Sequence, residues 1–173
     1  MKIRELFNEN EGEVEPSWDI RFPPFRVIDG EFKSRFMNVN GDFDGADIQL
    51  RSLKNSPPKV GQSFRCNSNK LQSLEGAPMI VGYNVWAYDN PIQHLKGIGK
   101  DYSVEINGFL DIDRCPIKSH MLGILKIKKL DRIHFNFNRK VRDIINKHLE
   151  SDRDILACQE ELIEAGLKEY ARL

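Results

Sequence analysis

The chain has 173 residues, enough for one domain or one domain with an appendage. Lys plus Arg total 26 and Asp plus Glu total 26, a balance that argues against a globally basic nucleic-acid binder and against an acidic disordered tail. No run approaches the roughly 18 apolar residues of a membrane span. The start, MKIRELFNENEGE, lacks the apolar stretch of a signal peptide, so a cytoplasmic location without membrane attachment is expected.

Residues 1–8 read as a short helix burying Ile3, Leu6 and Phe7, followed by an exposed acidic stretch at 9–16. The segment 17–36 carries Trp18, Phe22, Phe25, Val27, Phe32 and Phe36 around Pro23-Pro24. It reads as an irregular or β-rich cap, which sets a first unit at 1–38.

From residue 39 the chain repeats with a period of 21. Val39, Val60 and Val81 align, then Phe43, Phe64 and Val85, then Leu50, Leu71 and Ile92, then Leu53, Leu74 and Leu95. The turns recur as RSLKNSPPKVG (51–61), QSLEGAPMIVG (72–82) and a weakened QHLKGIGKDYS (93–103). Alternation at Phe64/Cys66 and Val85/Ala87 suits a short strand with one buried face. Asn69 and Asn90 fall where a side-chain amide can bond backbone at the bend. A fourth unit is expected with its strand at Val104–Ile106, and a fifth around Leu125–Ile127. One unit cannot bury its own apolar face, so the units must stack. The reading is α+β: a short parallel-strand solenoid over 39–137 between the N-terminal cap and a C-terminal helical cap at 138–173.

In that last segment Val141, Ile144, Ile145, His148 and Leu149 follow helical spacing. Ser151 with Asp154 gives a capping signal for a second helix. Its stripe is Ile155, Cys158, Leu162, Gly166 and Tyr170, widened by Leu156, Ile163 and Leu167. The two helices are expected to pack as a hairpin that closes the solenoid or joins chains into a homo-oligomer.

The units FRCNSNKLQSL (64–74) and VWAYDNPIQHL (85–95) resemble leucine-rich repeats. The SLEGAP-type turn followed by VG, and the tail DILACQEELIEAGLKEYARL, are similar to sequences in proteins of tailed bacteriophages. The resemblance implies a leucine-rich-repeat-like solenoid. If it reflects phage origin, it implies a protein of the host-cell cytoplasm. The first unit departs from the pattern, with Ile48 where Asn is expected, and the fourth has no clear Asn.

No phosphate loop, dinucleotide fingerprint or nucleophile elbow is present. Cys66, Cys115 and Cys158 lack CxxC spacing and read as packed thiols. The four His show no ligand spacing, and Asp111, Asp113 and His120 read as turn residues rather than metal ligands. Asp42, Asp44 and Asp47 lack the closing Glu of a calcium loop. No catalytic residue, metal or cofactor is therefore expected, and the chain reads as a non-enzyme.

The outward side of the strands is more informative. If Phe64/Cys66 and Val85/Ala87 face in, then Arg65, Trp86 and Tyr88 face out. Continuing the register through the expected strand Val104–Ile106 gives an outward column of Asp44, Arg65, Trp86, Glu105 and Lys126. With Tyr88 these are the candidate partner-binding residues, since Trp, Tyr and Arg are enriched at binding hot spots. The expected function is capture of a host or viral protein, such as inhibition of a host enzyme, toxin or defence factor. Residues 118–149, with nine bases against two acids, give an alternative: nucleic-acid binding through Lys126, Lys128 and Lys129 interleaved with Phe135 and Phe137. A third reading is a structural, oligomeric phage component joined by its C-terminal helices.

Overall fold

The computed structural model describes residues 20–21, 27–33, 36–96, 98 and 104–173. The expected helix at 1–8 and the acidic stretch after it lie outside these residues. In chain order the strands are β1 (Ile20–Arg21), β2 (Val27–Ile28), β3 (Glu31–Phe32), β4 (Phe43–Asp44), β5 (Lys59–Val60) and β6 (Phe64–Arg65). They continue with β7 (Ile80–Val81), β8 (Val85–Trp86), β9 (Glu105–Ile106), β10 (Phe109–Asp111) and β11 (Arg132–His134), then helices α1 (Arg139–Glu150) and α2 (Ile155–Glu164).

The strands coil as a short solenoid of about four turns. Its first wall is a parallel sheet in the order β1-β4-β6-β8-β10-β11, and its second is the parallel sheet β5-β7-β9. A bridge between His94 and Ser119 marks a third side. The recurring apolar columns form the core: Phe43, Phe64, Val85, Leu110 and Ile133 under the first wall, and Val39, Val60, Val81 and Ile106 under the second, all 5% exposed or less. The antiparallel pair β2–β3 lies ahead of β4, where Phe32, Phe36 and Phe43 meet edge to face.

Two devices hold the coils in register. After β4, β6, β8 and β10 the chain turns through a left-handed residue: Asp47, Ser68, Asp89 and Arg114, with φ of 51, 57, 55 and 55°. The next residue faces inward, and at 69 and 90 it is asparagine. Asn69 Oδ1 accepts from the backbone N–H groups of Ile48 and Leu50, while its Nδ2 donates to the Gly45, Cys66 and Asn67 carbonyls. Asn90 repeats this one coil on, accepting from Leu71 N and donating to the Cys66, Ala87 and Tyr88 carbonyls. At the second corner the coils touch backbone to backbone, and a Cβ on Gly82 would stand 1.9 Å from the Gly61 carbonyl oxygen. Only glycine fits there.

The even 21-residue register fails after the third coil. Strand β8 pairs Trp86 with Asp111 and Val85 with Leu110, so Leu110 continues the Phe64–Val85 column. Ile106, expected on the first wall with Val104, instead continues the Val60–Val81 column of the second wall. The fourth coil is longer by four residues, and the excess falls between Leu95 and Ile106 in the sequence. The fifth coil is also longer. Leu125 lies in a 3₁₀ turn (Leu122–Lys126) and Ile127 directly follows it, while the strand is formed by Arg132–His134.

The far end is closed by the helices. Helix α1 buries Val141, Ile144, Ile145, His148 and Leu149, the expected stripe. Asn138 caps it, accepting from Val141 N. Asn146 bonds both backbone groups of Ile133, at 2.8 and 3.1 Å, and so takes the place of a further strand on the open edge of β11. Arg153 donates to the Ile127 and Leu130 carbonyls. Helix α2 departs from expectation in two respects. Its N-cap is Asp154, accepting from Leu156 N and Ala157 N, and not Ser151, which ends α1. It buries Cys158 and Leu162, but Leu156 and Ile163 face outward, and the helix stops before Gly166. No described helix is long and apolar enough to cross a membrane.

Candidate protein-binding wall

On the first wall β4, β6, β8, β10 and β11 turn alternate residues outward, and the parallel register stacks them in rows. The central row reads Asp44, Arg65, Trp86, Asp111 and His134. Three of the expected residues, Asp44, Arg65 and Trp86, therefore stand together, with Tyr88 beside them. Glu105 and Lys126 do not. Glu105 lies in β9 on the second wall, where it pairs with Lys129 at 2.7 Å. The hydrogen bond from Lys129 holds its carboxyl below the usual range. Lys126 is the last residue of the 3₁₀ turn. The longer fourth coil moved both.

Their places are taken by residues the even period missed. Phe109 meets Trp86 edge to face, with ring centroids 4.8 Å apart, and stacks on His134 at 4.6 Å and 15°. Tyr88 approaches Trp86 edge-on at 6.3 Å. Arg114 lies over the Tyr88 ring at 5.4 Å while pairing with Asp89 at 2.6 Å. Four aromatic rings from three successive coils thus form one continuous, half-buried cluster. The Trp86 Nε1 is enclosed without an acceptor among the described residues, so packing rather than a hydrogen bond sets this indole's orientation.

Polar groups frame the cluster. Arg65 pairs with Asp42 at 2.9 Å on the N-terminal side. Asp111 and His134 face each other at 3.7 Å. Asp113 accepts from the backbone and side chain of Asn136, whose Oδ1 accepts from Arg142 of α1. Burial raises the Asp113 carboxyl, but these bonds outweigh it and hold it below the usual range. The helical cap therefore grips the margin of the wall. A signal for the missed residues does exist: Phe109-Leu110-Asp111-Ile112 repeats the out-in alternation of Val85–Ala87 once a longer turn is allowed.

The chemistry-bearing side chains are arranged differently. Among the described residues no three His, Cys, Asp or Glu side chains converge as a metal site. His120 lies against His94, away from Asp111 and Asp113. Burial raises the Cys66 thiol strongly and pushes Cys115 up to about 11 and Cys158 up to about 12, which keeps them as packed thiols at neutral pH. No protein-family model, curated protein or solved structure matches the chain.

Proposed function

We propose that the chain is a non-enzymatic protein-binding module that captures its partner on the first wall. The observation that carries this reading is the packing of Trp86, Tyr88, Phe109 and His134 into one half-exposed cluster on the first wall between polar residues. Clustered aromatics with a polar rim are what hot spots are made of, because rigid rings lose little entropy on binding. The likeness of residues 72–82 and of the tail to phage sequences makes a host enzyme, toxin or defence factor the class of protein to screen first. Against the nucleic-acid alternative stands the burial of Phe135, which removes one of the two stacking rings that reading requires.

The test is affinity capture with the intact chain and with Trp86→Ala/Tyr88→Ala, identifying retained proteins by mass spectrometry. A partner held by the wild type is expected to be lost from the double variant while thermal stability changes little. A partner retained by the double variant would contradict this site.

A further inference from the structure

Helix α2 carries an apolar stripe that the fold leaves unused. Leu156 and Ile163, two turns apart on one face, are 69% and 49% exposed, the two large apolar side chains so exposed within the described helices. Leu167, beyond the helix end, is half-buried. The opposite face, with Cys158 and Leu162, is the buried one, and the helix packs against α1 and the 3₁₀ turn. At helical spacing Glu160 and Glu164 border the stripe, both exposed and in no ion pair among the described residues. Glu161, one position round the helix, is consumed by Lys147 and His148 of α1.

We infer that this stripe is a docking surface for a basic amphipathic helix of another protein. Leu156 and Ile163 are spaced as successive positions of a helix–helix seam. The free carboxylates beside them select lysine or arginine on the flanks of the incoming helix. The same carboxylates disfavour a second copy of this chain: an antiparallel pairing of two α2 helices along the stripe sets each Glu160 against its own symmetry mate, like charge on like. This surface does not depend on the first wall, so either assignment can fail without the other.

Two labelled synthetic helices of equal length serve as probes, one of leucine and lysine, the other of leucine and glutamate. Their binding to the full chain is followed by fluorescence anisotropy at low and moderate salt. The lysine probe is expected to bind at least about ten-fold more tightly than the glutamate probe. Leu156→Ser/Ile163→Ser should lose that binding, and Glu160→Lys/Glu164→Lys should reverse the preference. These positions are exposed, and circular dichroism checks that the helices persist. Equal binding of both probes, undiminished binding by the serine variant, or a dimer in sedimentation that the serines dissolve would each overturn the inference.

Discussion

At the scale of single residues, the position after the left-handed corner carries the most information. Counting along the observed register, it holds Ile48, Asn69, Asn90 and Cys115, and the equivalent position in the last coil, which no left-handed residue precedes, is Asn138. The two central asparagines satisfy backbone groups of two coils at once, which buried N–H and C=O groups require. Cys115 fills the same place with a weaker donor, its thiol reaching the Ala87 carbonyl at 3.4 Å. Asn138 leaves the solenoid and caps α1. Asn90→Ala strands Leu71 N and removes donors from three carbonyls, so it is expected to cost about 3 kcal/mol. Cys115→Ala is expected to cost about 1 kcal/mol, since it gives up one weak bond and a small apolar volume. Urea unfolding of the two variants against wild type checks the order, and equal losses would contradict the ladder. Asn69 and Asn90 could be read from the 21-residue period. Cys115 could not, because it comes four residues late.

At the scale of elements, the first three coils could be placed because their turns have one length and one punctuation. Alternation alone places the fourth strand at Val104–Ile106, yet Ile106 and Leu110 are both apolar and both precede a polar position. Which of them continues the first wall depends on hydrogen bonds between coils, a non-local fact that alternation does not encode. Helix α1 was legible because its apolar residues follow one stripe. Helix α2 was half legible: its burial narrows to Cys158 and Leu162, and nothing in the spacing distinguishes an outward Leu156 from an inward one. The hairpin itself is fastened by Glu161, whose carboxyl is held below its usual range by a hydrogen bond from Lys147 and then by His148. A carboxyl lowered in the folded state stabilises fully above its unfolded pKa and loses that contribution as pH falls through the folded value. Glu161→Gln is therefore expected to lower the melting temperature at neutral pH, with the difference from wild type closing on acidification through the carboxylate range. A difference that persists undiminished in acid would show that the fastening is not ionic.

At the scale of the whole molecule, stacked coils convert sequence spacing into surface adjacency. Each coil contributes one or two outward side chains, and no coil alone makes a site. The aromatic cluster exists because β8, β10 and β11 are neighbours, and because Asn146, Arg142 and Arg153 fix the last coil against the helical cap. Nuclear Overhauser contacts among the ring protons of Trp86, Phe109 and His134 test this arrangement most directly. The account predicts cross-peaks from Trp86 to Phe109 and from Phe109 to His134. Cross-peaks from Trp86 to the side chain of Glu105 instead, with none to Phe109, would put Val104–Ile106 back on the first wall and contradict it.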